Sequence, residues 1–442
     1  MKPNSFKDLE NMKNLNRVAI AVSAALLTSA AGAVDFNGYM RAGTGLSGNN
    51  GENYSFEKNK IGRLGNENDL YAEFGFRQEL PKITGMEDQK WVVDAMIAQG
   101  NSGNNGWEDG DFNVAQFNVQ ATGLFASDKE ATLWAGKRYY QRKDIHITDF
   151  YYLNTSGGAG GGIENVSVGP GKLSAAWMLD DGSQKSSTTK QEYKWVDADN
   201  DPSTPPVWQQ VDVTTETSDT VNGHIFDVRY AGLNLWSDAT LELAAVYNFA
   251  NESEGQDVKA DDGVMVTAIL QQGLSNGFNQ TVLQYGTSSY GTQMASLGAG
   301  AWFDRSGEQN DATGYRVINW GVVSVGENIE VGHQLMYANS ADVGLAKEEH
   351  ELFSAVVRPM YKWNQNMKTI LELGVFSESK GSTDSGGSKA TIAQAWSMGE
   401  SFWARPEIRV FASYLTDDEG TTMGSSKGDS DYSIGMQVEA WF

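Results

Sequence analysis

Five aromatic residues stand where strict alternation would place polar side chains. Trp441 shares a face with Gln437 and Glu439, and Trp403 with Ser401, Arg405 and Glu407. Tyr39 lies with Asp35, Asn37 and Arg41, Tyr71 with Asp69 and Glu73, and Phe278 with Gln280 and Gln284, although Val282 makes that last face less regular. Large rings left facing water call for a ligand or a covering partner. A pyranose presents a flat patch of C–H groups and a rim of hydroxyls. A ring covers the patch while charged groups beside it exchange hydrogen bonds with the rim. Arg41, two positions after Tyr39, and Glu73, two after Tyr71, suit that second role. The competing explanation is the aromatic belt of a membrane interface. It accounts for Phe442 and Phe36 but poorly for rings on polar faces.

Other chemistries find less support. Two carboxylates about 5 to 9.5 Å apart would suit glycoside hydrolysis, but a chain with 57 acidic residues supplies such pairs by chance. His146, His224, His333 and His350 show no metal-ligand spacing and read as loop or turn residues. The absence of cysteine excludes disulfides, thiol chemistry and thiolate metal sites. No metal or cofactor is expected, and the chain reads as a non-enzyme. A secreted glycan-active enzyme or carbohydrate-binding β protein stays open as a rival.

Strands must position these residues. Tyr432, Ile434, Met436, Val438, Ala440 and Phe442 alternate with Ser433, Gly435, Gln437, Glu439 and Trp441. That run has about the nine to eleven residues a tilted strand needs to cross a bilayer. The first strand is its counterpart, with Val34, Phe36, Gly38, Met40 and Ala42 against Asp35, Asn37, Tyr39, Arg41 and Gly43. The pattern recurs around Leu70 to Arg77, Thr240 to Phe249 and Ser401 to Val410. A chain that starts and ends in such strands can close a barrel and remove its edges. Polar stretches at Gln184 to His224, Ser377 to Ser388 and Thr416 to Asp431 read as loops. No fixed-period repeat supports a solenoid or propeller.

Residues 1–33 read as a secretory signal peptide: Lys13 and Arg17 precede the apolar run Val18 to Thr28, and Ala31-Gly32-Ala33 fits a small-x-small cleavage pattern. The stretch before Met12 is either an extended basic region or lies upstream of the true start. Residues 34–442 then form one domain. No later run is long and apolar enough for a transmembrane helix, and mean hydropathy is −0.44. The net charge of −24 argues against nucleic acid as a partner.

At these residues the sequence resembles the maltoporin family, over essentially all of 34–442. The matching runs are Val34-Asp-Phe-Asn-Gly-Tyr-Met-Arg41, Arg63-Leu-Gly-Asn-Glu67, Tyr71-Ala-Glu73, Trp134-Ala-Gly-Lys-Arg-Tyr-Tyr-Gln-Arg142, Asp149-Phe-Tyr-Tyr152, Gly277-Phe-Asn279, Arg358-Pro-Met-Tyr-Lys-Trp363, Phe402-Trp-Ala-Arg-Pro406 and Glu439-Ala-Trp-Phe442. The resemblance implies an all-β, 18-stranded antiparallel transmembrane barrel in the outer membrane of a Gram-negative bacterium. It implies a homotrimer, an inward-folded constriction loop, and facilitated diffusion of maltose and maltodextrins. The family's aromatic slide maps to Tyr39, Tyr71, Trp107, Phe278, Trp403 and Trp441, and its polar track to Arg41, Arg63, Glu73, Arg142, Asp144 and Asp149. Tyr151 matches the constriction tyrosine. Partners implied are linear maltodextrins, outer-membrane lipid and, through the loops, a phage. This sequence departs at Ala115, where the family's track has an arginine. It departs also at Leu153 and Asn154, where a tryptophan and an aspartate stand in the family, and at Asn68, where some members carry a cysteine. A related porin for sucrose or aryl-β-glucosides, or an unspecific diffusion pore, are the alternatives.

Overall fold

The computed structural model describes residues 34–48, 55–102, 112–180, 183–196, 207–220, 223–250, 260–418 and 428–442. The signal peptide and Trp107 lie outside the described residues. Eighteen strands form one antiparallel sheet, from Asp35–Ser47 to Ser430–Trp441. Each pairs with its neighbour in the chain, and the ring closes where the first strand meets the last, Tyr39 opposite Trp441 and Arg41 opposite Glu439. Closure leaves no open sheet edge for lipid to meet, as a membrane-spanning sheet requires.

The alternation of side chains shows which solvent lies outside. The outward face carries Ile392, Ile408, Ile434 and Met436, all more than half exposed. The inward face carries Arg229, Arg316, Lys389 and Arg409, each 2% exposed or less. A water-soluble barrel has the opposite arrangement; apolar outside and polar inside is the membrane barrel. Outward-facing aromatics gather at two levels. Phe36, Phe76, Phe442, Tyr361 and Trp363 lie toward the rim that holds the chain ends, and Trp177, Phe226, Tyr315 and Tyr337 toward the opposite rim. These two levels are the interfacial girdles expected of such a barrel.

Connections at the chain-end rim are mostly tight turns, such as 237–238 and 365–366, while the opposite rim carries the long ones. Three expectations change here. The stretch Gln184 to His224 is not wholly loop: Ser183–Val196 pairs with Val207–Thr220 as a ribbon outside the barrel sheet. Ser377 to Ser388 is the tip of a hairpin between Met367–Lys380 and Thr383–Ser397, because polar residues at a barrel's outer end alternate as well as apolar ones do. The strand expected from Ser401 begins only at Glu407, so Trp403 and Arg405 sit in the preceding turn. Two short helices, Lys58–Ile61 and Ser289–Ala295, carry no period long enough to be read from sequence.

The interior is filled unevenly. The segment 138–159 and the connection bearing Ser289–Ala295 lie inside the ring. There they bury Ile145, Ile147, Tyr152, Leu153, Tyr290 and Met294 against inward residues such as Met265, Val282 and Ile318. That apolar packing occupies one flank. The flank formed by the first and last strands keeps its rings half exposed.

Candidate functional site

Directly opposed residues in an antiparallel pair point to the same face. Tyr39 faces Trp441 on one side and Glu73 on the other, while Arg41 lies between Glu439 and Tyr71. This register alone assembles an inner wall of alternating rings and charges. The Tyr39 and Tyr71 rings are 6.1 Å apart, and the Arg41 guanidinium lies over both, 6.0 and 5.3 Å from their centres. Toward the chain-end rim, Arg405 lies 4.6 Å over Trp441. His146 stands between Trp441 and Trp403, at 5.6 and 5.5 Å. Trp403 is 37% exposed, held from behind by Phe402 at 5.1 Å. Tyr71, Tyr39, Trp441 and Trp403 thus descend one wall. Phe278 belongs to the eleventh strand of the ring, near the same rim as Trp403, and its ring contact is with Trp320 at 5.1 Å.

The charged residues form a mesh beside the rings. Arg41 grips Asp69 with two bonds of 2.9 and 2.5 Å and reaches Asp149 at 3.1 Å. Lys58 also donates to Asp149, at 2.7 Å. Arg63 pairs with Glu67 at 2.9 Å and Glu439 at 3.0 Å, and donates to the Tyr39 hydroxyl at 2.6 Å. Glu73 accepts from the hydroxyls of Tyr71 (2.6 Å) and Tyr139 (2.9 Å). Arg142 lies flat on Tyr139 at 3.4 Å and over Tyr151 at 4.8 Å, with no ion pair among the described residues. Burial and the adjacent Glu73 push the Tyr139 phenol up to about 12, so it stays a donor.

The inner segment is fixed by long-range bonds. Arg229 donates to the Gln141 carbonyl, Lys143 to Glu242, and Arg316 to the Tyr152 carbonyl. The Ile147 carbonyl accepts from the Arg63 backbone and from Arg358. The buried side chains Ile145, Ile147, Phe150 and Leu153 anchor it, leaving Arg142, Asp144, Asp149 and Tyr151 toward the open flank. Asp149 is left-handed at φ 50, which an aspartate tolerates better than most residues. Leu153 is fully buried in the anchor, and the Asn154 amide donates to the Ala299 carbonyl. These two departures therefore belong to the anchored flank rather than to the track. Trp107 lies outside the described residues.

Sequence reasoning missed several members. Tyr139, Glu67, Lys58 and Trp320 join the site through contacts that no local spacing records. Glu439, Arg405 and Arg409 were legible as polar-face neighbours of the two tryptophans. His146 opens a short 3-10 helix, His146–Thr148, and sits among the rings. The loop reading fails for His224, His333 and His350, which lie in strands. Each occupies an alternating position: His333 faces inward to Asn279 and Asn319, and His224 packs on Trp177.

Burial, with the charges of Arg63, Arg405 and Arg358, outweighs Glu439 and holds the His146 imidazole well below its usual 6.5. Burial would raise Glu67, but Arg63, Arg41 and Lys58 prevail and lower it from 4.5 to about 2. In the folded protein both groups titrate on the acid side of their ordinary values, so neither changes charge from about pH 6.5 to 8. Ligand affinity measured across that range is expected to be flat, and an inflection near 6.5 would overturn the assignment. Stability behaves differently, because both folded values lie below the unfolded ones. His146 withdraws its contribution as pH falls below 6.5 and Glu67 as pH falls from 4.5 toward 2, so detergent-solubilised protein loses stability on the acid side.

Comparison with known proteins follows the same lines. The family model described as LamB porin matches residues 34–442. The maltoporin of Vibrio cholerae serotype O1 is 51% identical over 453 aligned positions, covering 98% of this chain and 100% of its own length. That of Photobacterium profundum is 42% identical, covering 97% and 99%. Among solved structures, OccD3 (OpdP) of Pseudomonas aeruginosa aligns with a TM-score of 0.50 at 8% identity, covering 94% of this chain and 92% of that one. That likeness concerns the fold alone.

Proposed function

We infer, from the premise that the chain belongs to the LamB porin family, that it is an outer-membrane channel for facilitated diffusion of maltose and linear maltodextrins. The observation that carries the reading is the descending wall of half-exposed rings set in a mesh of carboxylates and guanidinium groups. Rings cover the apolar faces of successive glucosyl units. Arg41, Arg63, Glu73, Arg142, Asp144 and Asp149 exchange hydroxyl hydrogen bonds along their edges, with Tyr151 narrowing the passage. Transport needs each contact to be weak enough to release, and many small contacts in a row meet that need. The track breaks no bonds. Phe278 extends the slide along the chain-end rim, and Trp107 belongs to it by the resemblance alone. The exposed apolar belt meets outer-membrane lipid, the assembly is a homotrimer, the long loops are a surface a phage can exploit, and residues 1–33 are a secretory leader.

Ion conductance through the purified protein in a planar bilayer tests this. Maltohexaose is expected to block current saturably, and sucrose more weakly. Stronger block by sucrose would assign the channel to the sucrose-type relatives, and current that neither sugar blocks would leave a plain diffusion pore.

A further inference from the structure

A recess of about 420 Å³ opens beside the upper end of the track, lined by Tyr71, Tyr139, Ala98, Gly100, Ala115 and Ser156 among others. Its volume falls in the range of about 300–1,000 Å³ typical of small-molecule sites. Small residues create it. Ala98 and Gly100 are inward positions opposite Glu73 and Tyr71. Ala115 is the extra residue of a bulge, because Met96 pairs with Gln116 and Ile97 with Val114. The recess has polar equipment: Ser156 accepts from the Tyr140 amide at 2.9 Å, which leaves its own proton to give, and Tyr71 and Tyr139 meet on Glu73.

The recess takes in Tyr71 but no other described ring of the slide, so a linear glucan lying along those rings is expected to leave it free. A glucosyl unit stacked by its face points its exocyclic O6 sideways from the chain, and a substituent there needs room beside the track. We propose that the recess is a side subsite for one glucosyl branch, so that the channel accepts α-1,6-branched malto-oligosaccharides as well as linear ones. This rests on the maltodextrin reading above.

The test compares bilayer block by maltotetraose with block by the isomer that carries its fourth glucose as an α-1,6 branch on the middle ring of maltotriose. In the unaltered channel the two affinities are expected to agree within about threefold. Ala115→Leu fills the recess without adding a donor; it should weaken the branched sugar about tenfold while the linear one stays within about threefold. Ala115→Ser keeps the space and should keep both. Retained block by the linear sugar shows that each variant is folded. Branched binding more than about tenfold weaker than linear in the unaltered channel, or equal loss of both in Ala115→Leu, overturns the side subsite. Absence of linear block defeats the maltodextrin reading and the subsite with it.

Discussion

Replacing Glu439 with glutamine is expected to cost about 3–5 kcal/mol of barrel stability, the range for breaking a buried ion pair from one side. The carboxylate is 1% exposed and serves several donors at once. One oxygen takes Arg63 at 3.0 Å and the Tyr39 hydroxyl at 3.0 Å; the other takes Arg405 at 2.7 Å and Arg409 at 3.3 Å. The amide cannot neutralise three guanidinium groups. Glu67 remains for Arg63 and Glu407 for Arg405 and Arg409, which places the loss toward the lower end of the range. Because Glu439 faces Arg41 across the closing seam, the change also loosens the ring positions of Tyr39 and Trp441. Urea unfolding in detergent micelles should show a lower midpoint, with weaker maltohexaose block in whatever protein inserts. An unchanged midpoint would mean that the cluster is hydrated and contributes little.

The second large effect concerns the rings. Trp403→Ala and Tyr71→Ala should each weaken maltohexaose block about tenfold, from lost ring burial plus about 0.5–1.5 kcal/mol of ring-specific contact. Trp403 bonds to the rest of the protein mainly through its back, against Phe402 and His146, so its loss leaves the mesh of charges in place. Tyr71 has two roles, and Tyr71→Phe separates them. The phenylalanine keeps the stacking face but removes the 2.6 Å bond to Glu73, which Tyr139 still caps. Its expected loss is about threefold, the cost of one hydrogen bond. Equal losses for Tyr71→Ala and Tyr71→Phe would assign the affinity to the hydroxyl and remove the ring from the slide. Noise analysis of the blocked current gives on- and off-rates, and the losses should appear mainly as faster release.

Much of this molecule is legible in its sequence. Which way a strand side chain points is a local property, because successive Cβ atoms alternate across the backbone. Tyr39, Arg41, Tyr71, Glu73, Glu439 and Trp441 therefore declared their shared polar faces from spacing alone, and Phe36 and Phe442 their outer ones. The resemblance carried Arg63, Arg142, Asp144, Asp149 and Tyr151 by position in the chain. Where polar residues alternate as regularly as apolar ones, as at Ser377 to Ser388, composition suggested loop and the strand was missed. Trp403 was assigned to a strand face when it stands in a turn, because the apparent alternation from Ser401 to Arg405 runs ahead of the real start at Glu407.

What the sequence determined by itself is the inward or outward face of residues in its clearest strands and, through the resemblance, the antiparallel class and the family. The tertiary structure alone decided how those residues meet. Arg41 lies between Glu439 and Tyr71 only because the first strand closes on the last in that register. His146 stands between two tryptophans, and Tyr139 shares a carboxylate with Tyr71, only because the inner segment is carried across the lumen by partners far away in the chain. The bond from Arg358 to the Ile147 carbonyl spans 211 positions. Alternation is written into each strand by backbone geometry, whereas the path of an irregular segment is the sum of such distant contacts, and no local pattern encodes it.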